Sequence, residues 1–218
     1  MAFDFKKEYK ELYLPKGRPE ILTVPPMHYI TVSGQGDPNE AGGLYQQAIQ
    51  LLYAVAYTLK MSPKAGYQME GFFDYVVPPL EGFWSQGEGR AIDYANKATF
   101  HWVSAIRLPD FVTQEHLEWA KETAARKKKL DCSPVTFRRV EEGLCVQMMH
   151  LGPFDTEPQT VAAMNAFLQA EGYENDCSDA RWHHEIYLSD PRKAAPEKWR
   201  TVIRHPIKPA GDAAGGRG

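Results

Sequence analysis

Gly152-Pro153-Phe154-Asp155-Thr156-Glu157-Pro158 reads as a turn that flows into the start of a helix. Before it, Leu144 to Leu151 is an apolar run that reads as a strand. Asp155, Thr156 and Glu157 are residue types that open helices, and Pro158 suits a first turn. Val161, Met164, Phe167 and Leu168 then recur at helical spacing, and Gly172 fits the C-terminal cap. The same order stands earlier in the chain. Met27 to Ser33 alternates and is rich in β-branched residues, and Gly34-Gln35-Gly36-Asp37-Pro38-Asn39 is a turn. Leu44, Ala48, Leu51, Val55 and Leu59 mark an amphipathic helix over about 40–60. Gly34-xx-Asp37-Pro38 and Gly152-xx-Asp155-xx-Pro158 therefore take equivalent places.

Working outward, Met69 to Val77 and Ala98 to Leu108 read as strands. Pro78-Pro79 and Gly82 mark a connection between them that carries Glu81, Phe83 and Trp84. Thr113 can cap a helix over about 113–129, with acids early and bases late as the helix dipole prefers. In the second half, Val135–Val140, His183–Ser189 and Thr201–Pro206 read as further strands. The chain thus runs strand–helix–strand–strand twice, in pseudo-repeats of about 21–110 and 134–208, and an internal duplication is the economical explanation. The expected fold is α+β: antiparallel sheet segments about a pseudo-two-fold axis, helices on one face, and a ligand groove between the halves, with the other face concave. Residues 1–20 form a polar lead-in to a domain over 21–208, and residues 209–218 a disordered tail.

Composition narrows the function. The 218 residues carry a net charge of −3, so no nucleic-acid or anionic-membrane footprint is expected. Arg126-Lys127-Lys128-Lys129 closes a helix, where it offsets the negative end of the dipole. Three widely spaced cysteines without a CxxC pair support neither a disulfide framework nor a zinc site, and read as free thiols in a reducing cytosol. Met1 to Arg18 lacks a signal-peptide core, and no apolar run approaches the ~20 residues of a membrane span. The expected location is cytoplasmic.

The candidate chemistry lies in the second half. If His183-His184-Glu185-Ile186-Tyr187-Leu188 is a strand, Ile186 and Leu188 share the face that packs beneath the helices, and His183, Glu185 and Tyr187 share the opposite, groove-facing side. Glu157 begins its helix, where backbone N–H groups and the dipole favour a carboxylate. Should both glutamates reach one cavity, their different surroundings would separate a base from an acid. Phe100 and Trp102 alternate on one strand face, and Phe83 and Trp84 sit nearby. Aromatic faces beside a carboxylate favour flat and cationic guests, at roughly 0.5–2 kcal/mol per contact. The plainer alternatives stay open: a solvated strand face for Glu185, helix-start stabilisation for Glu157, and core packing for the aromatics. His183 and His184 point to opposite faces of a strand, so they do not form a metal pair, and no cofactor is expected. Neither a phosphate loop nor a GxSxG elbow occurs.

Glu81-Gly82-Phe83-Trp84, Arg107-Leu108-Pro109-Asp110-Phe111-Val112, Met149 to Pro158 and His183 to Arg192 resemble the GyrI-like small-molecule-binding proteins over about residues 20–208. The likeness is to the stand-alone branch, near the subgroup that hydrolyses cyclopropanoid compounds. It implies a duplicated fold with a groove between the halves that takes lipophilic aromatic or cationic small molecules. Residues 1–26 are too short and Pro-rich for a helix-turn-helix, so a transcription factor is not expected. In the hydrolytic subgroup two glutamates in aromatic surroundings open a strained cyclopropane conjugated to a dienone. The positions matching that pattern are Glu157 and Glu185, with Tyr187 adjacent, and with Trp84 and Trp102 as stacking walls. The resemblance leaves three readings: a hydrolase of cyclopropanoid alkylating agents, a non-catalytic drug-sequestering or sensing module, and a gyrase modulator acting by protein contact.

Overall fold

The computed structural model describes residues 2–87, 93 and 95–211. Its strands are β1 (Glu20–Val24), β2 (Met27–Gln35), β3 (Leu80–Ser85), β4 (His101–Arg107), β5 (Thr136–Val140), β6 (Gly143–Leu151), β7 (Tyr173–Asn175), β8 (His183–Tyr187) and β9 (Arg200–Pro209). The helices are α1 (Phe5–Glu8), α2 (Lys10–Tyr13), α3 (Leu44–Lys60), α4 (Gln114–Lys128) and α5 (Glu157–Glu171). Among the described residues the strands form one antiparallel sheet in the order β1-β6-β9-β8-β3-β4-β2-β5, with β7 pairing the far end of β9. No helix among them is long and apolar enough to cross a membrane.

The duplication is written in the hydrogen-bond register. Gly36 N donates to Phe100 O just before β4, and Gly152 N donates to Trp199 O just before β9. Both glycines have positive φ, 119° and 128°, a conformation open to glycine at little cost. Gly36, two residues beyond the Gly34 that the sequence pattern suggests, is therefore the counterpart of Gly152. Counting along the ladders from these points, Ser104 of β4 matches Ile203 of β9, and their partners Gly82 and Glu185 match each other. Gly82 and Glu185 also face each other across the β3–β8 junction. The pseudo-two-fold axis therefore passes through this one pair.

The outer strands are exchanged. β1 precedes β2 in the chain yet pairs with β6, while β5 precedes β6 yet pairs with β2. Each half completes the sheet of the other, which ties the two into one body.

The three long helices lie on one face of the sheet. α3 buries Ala48, Leu52, Val55, Ala56 and Leu59 against Ile30, Trp102 and Ile106 and against α4. Each large aliphatic side chain contributes roughly 1.5–3 kcal/mol by burial. Leu44, assigned to the apolar stripe by its spacing, opens the helix and is 62% exposed. α5 buries Met164 and Leu168 against Val146, Ile203 and Ile207. Thr113 caps α4 in a capping box with His116, as its position suggests.

The other face does not stay concave and empty. Phe5, Leu12 and Tyr13 of α1 and α2 pack there with Tyr29, Phe83, Val103, Ile186 and Val202. Met69 to Val77, expected as a strand, is irregular apart from a single bridge between Tyr75 and Phe3. Its aromatics pack as a cluster with Phe3, Phe5 and Phe111 instead of pairing edge to edge. Conversely, Phe83 and Trp84 belong to strand β3, where the flanking prolines and Gly82 suggest a connection.

Candidate ligand and catalytic site

Glu157 is the first residue of α5, and the turn before it is clamped from two sides. His150 on β6 and the Thr156 hydroxyl both donate to the Pro153 carbonyl, at 3.1 and 2.7 Å. The other His150 nitrogen accepts from Thr160 of α5 at 2.8 Å. Strand end, turn and helix start thus move as a unit, which aims the Glu157 carboxylate over the sheet.

Glu185 comes from the middle of β8 and lies on the face that carries the long helices. The sequence suggests the opposite face, but Ile186 packs with Phe5, Leu12 and Tyr13 on the other side, and Tyr187 packs with the α3 cluster. His183 Nε2 lies 2.8 Å from Glu185 Oε1, and the Tyr187 hydroxyl donates to Oε2 at 2.7 Å. Alternation along the strand supplies this arrangement, since residues two apart share a face. Trp84 Nε1 donates to the same Tyr187 oxygen at 3.0 Å, so that hydroxyl has its own proton free for Glu185. Burial first, and then the Glu185 charge, pushes the Tyr187 phenol well above its ordinary value, so it stays protonated. Hydrogen bonds to a charged partner are worth about 1.5–3 kcal/mol each, so Glu185 is held firmly.

The two halves meet here through a missing side chain. A Cβ on Gly82 would lie 2.6 Å from Trp84 Nε1 and 2.9 Å from the Tyr187 hydroxyl. Trp84 and Tyr187 are counterparts under the pseudo-symmetry, and they cross above Gly82 because nothing projects from it.

Glu157, His183 and Glu185 converge: one potential ligand atom from each lies within 4.8 Å of the others. Glu157 is 1% and Glu185 8% exposed. Tyr45 of α3, Trp84, Phe100 and Trp102 continue the wall in mutual ring contact, at centroid separations of 5.2–5.7 Å. Phe154, in the turn before α5, meets the Tyr187 ring at 5.7 Å. Of the eight residues singled out by sequence, Glu157, Glu185, Tyr187, His183 and Trp84 sit together, with Phe100 and Trp102 in the adjoining aromatic wall. Phe83 does not join them. It occupies the opposite face of β3 and stacks on His184 at 4.0 Å, because consecutive strand residues point apart.

Three contributors escaped the sequence reading. His205 of β9 places Nε2 2.6 Å from His183 Nδ1, and Asn175 of β7 places Nδ2 2.8 Å from His205 Nδ1. Tyr45 lies beside Tyr187 and Ser104. No local pattern marks Asn175 or His205, which meet only because β7 and β8 line up in tandem along β9.

Directly behind Glu185, a second polar cluster occupies the other face. His184 sits between Glu81 and Glu142, 2.9 Å from each, and Arg204 bonds Glu142 at 3.0 Å. Burial alone would keep the His184 imidazole neutral, but Glu142 and Glu81 outweigh it and raise its pKa. Burial likewise opposes ionisation of Glu142, yet His184 and Arg204 hold it down at about 2. Arg204, 0% exposed, also donates to Gln147 and to the Leu12 carbonyl, fastening α2 to the sheet.

Two open clefts lie away from the glutamates. One of about 320 Å³ is on the opposite face, between Phe83, Val103, Arg138, Glu142 and Trp182. The other, about 460 Å³, runs between α3 and α4 beside Tyr57, Met61 and Lys127. Neither cleft is lined by Glu157 or Glu185, both of which are buried.

A duplicated antiparallel sheet with helices on one face and polar groups gathered at its pseudo-dyad defines an α+β small-molecule-binding class. The chain belongs to the GyrI-like family, whose small molecule binding domain model matches residues 18–208. Two crystal structures from Listeria innocua resemble it across 95% of this chain and 100% of theirs. One is described as a hydrolase (50% identity, TM-score 0.86), the other as an uncharacterized conserved protein (51% identity, TM-score 0.89). The EcmrR C-terminal domain shares the fold at 11% identity and a TM-score of 0.56. Among curated proteins, none matches the chain.

Proposed function

We propose that the space around Glu157 and Glu185 takes flat, lipophilic, often cationic compounds and hydrolyses cyclopropanoid alkylating compounds among them. The observation that carries this reading is the convergence of Glu157, His183 and Glu185 within 4.8 Å in an enclosed, aromatic-walled position. Two carboxylates facing one space concentrate negative charge where a cation would sit or a water would lose its proton. The described hydrolase from Listeria innocua, 50% identical, supports a hydrolytic reading in general terms.

In the proposed step a water molecule lies between the two carboxylates. Glu157 takes one of its protons as the oxygen attacks the strained ring carbon, a contribution of roughly 10²–10⁴-fold for a positioned base. The electron pair of the breaking C–C bond moves into the conjugated carbonyl, whose oxygen accepts a hydrogen bond from the Tyr187 hydroxyl. Glu185, still held by His183 once the Tyr187 hydroxyl turns to that carbonyl, holds the second water hydrogen and so orients the attack. Trp84, with Phe100 and Trp102 behind it, supplies the stacking surface.

A sequestering module is the second reading, favoured by the burial of both carboxylates: a closed aromatic box retains a cation without chemistry. Glu157→Gln separates the two. The hydrolytic reading expects turnover of a cyclopropanoid substrate to fall far more than dye affinity. Turnover unchanged in both Glu157→Gln and Glu185→Gln defeats it, and binding without turnover in the wild type favours sequestration.

A further inference from the structure

The hydrogen bonds behind Glu185 have a direction, and one exposed residue sets it. The backbone N–H of Cys177 can only donate, and it meets Asn175 Oδ1 at 2.8 Å. This fixes the orientation of the amide, so Asn175 Nδ2 is the donor to His205 Nδ1. Burial, followed by the neighbouring His183, lowers the His205 pKa well below its ordinary value, which makes it a neutral imidazole. With Nδ1 accepting, its one proton stands on Nε2 and points to His183 Nδ1. His183 in turn carries its proton on Nε2, directed at Glu185 Oε1. Every bond from the surface inward therefore donates toward the same carboxylate.

We propose that Asn175 and His205 are positioning residues that lock the tautomer of His183, so that the Glu157–His183–Glu185 cluster works as a hydrogen-bonded carboxylate site and not as a metal site. Two carboxylates and an imidazole at this separation would otherwise suit a divalent cation. A cation needs the lone pair of His183 Nε2, so the His183 proton would move to Nδ1. That proton needs His205 Nε2 as its acceptor, which pushes the His205 proton to Nδ1, against the Asn175 amino group. In zinc sites the outer partner of a ligating histidine is commonly a carboxylate or carbonyl, which accepts. Here it is a donor, and the polarity is the reverse of what metal binding requires. The first half of the molecule has no version of this device. Its matching positions are Leu80, Gly82 and Ile106, counted along the same ladders.

The inference rests on the reading that Glu185 serves the ligand, but its test does not depend on turnover. Nitrogen NMR of the full-length chain reads the protonated ring nitrogen of each histidine, and calorimetry with zinc alone reads metal affinity. In the wild type both His183 and His205 should carry their protons on Nε2. Asn175→Asp presents an acceptor in place of the donor. It should move both protons to Nδ1 and bind zinc at least tenfold more tightly than the wild type, with the fold intact because residue 175 is exposed. Asn175→Leu, which neither donates nor accepts, should leave His183 in a mixture of tautomers. Wild-type His183 protonated on Nδ1, or zinc binding by the wild type as tight as by Asn175→Asp, would overturn the proposal. Should the tautomers respond as stated while cyclopropanoid turnover is absent from the wild type, the relay stands and the hydrolytic reading falls.

Discussion

The two halves of this molecule share a backbone and differ in what they place on it. At matching points the first half carries Leu80, Gly82, Trp84 and Ile106, and the second carries His183, Glu185, Tyr187 and His205. One half is an apolar wall with a gap in it, the other a chain of donors ending on a carboxylate. Duplication supplied two copies of a surface, and divergence made them complementary at the axis where they meet. The site therefore belongs to neither repeat alone. Gly82 opens the space, Trp84 and Tyr187 cross it from the two strands, and the Tyr187 hydroxyl holds Glu185.

The comparison can be broken most severely at the carboxylates. Glu185→Gln should reduce turnover of a cyclopropanoid substrate by about 10²–10⁴-fold and weaken binding of a flat cationic dye, both measurable on the purified protein. Glu157→Gln should slow turnover by a similar factor while affecting dye affinity less.

The two faces of the sheet give the next largest contrast. Behind the site, Glu142 has a folded pKa of about 2 against an ordinary 4.5, so its contribution is present above pH 4.5 and lost as pH falls toward 2. The loss is about 3 kcal/mol. His184 has the opposite sign: its pKa is raised, so its contribution is full below its ordinary 6.5 and fades as pH rises through the folded value. Urea unfolding across pH should therefore show this cluster strongest between about 4.5 and 6.5, and Glu142→Gln should flatten both slopes.

A smaller effect tests the gap itself. Gly82→Ala puts a methyl 2.6 Å from Trp84 Nε1, which should cost about 1–3 kcal/mol and break the Trp84–Tyr187 bond, seen as a change in tryptophan fluorescence. The smallest concerns a tie between the halves at the surface. Lys97, in the connection after β3, pairs with the exposed Asp155 before α5 at 3.1 Å. Lys97→Ala should change stability by less than about 1 kcal/mol, since solvent screens such pairs.

Much of this was legible before any coordinates. Strand–turn–helix punctuation around Gly34-xx-Asp37-Pro38 and Gly152 exposed the duplication, although the glycine that matches Gly152 is Gly36. Period-two alternation put His183, Glu185 and Tyr187 on one face. The helix-start position of Glu157 followed from Asp155-Thr156-Glu157-Pro158. What stayed hidden depends on pairing between distant segments. The exchange of β1 and β5 between the halves leaves no local trace, and neither does the meeting of Asn175 with His205. Phe83 was placed with Trp84 because Pro78-Pro79 and Gly82 resemble a turn. Gly82 is in fact a strand glycine that permits a close side-chain crossing, a known meaning of glycine inside a sheet.

The most direct test of the account is a crystal structure of the protein with a flat aromatic cation bound. The account predicts the ring stacked on Trp84 with both Glu157 and Glu185 facing it, on the helix side of the sheet. A ligand seated instead in the cleft between Phe83, Arg138 and Trp182, with the carboxylate cluster still closed, would contradict it.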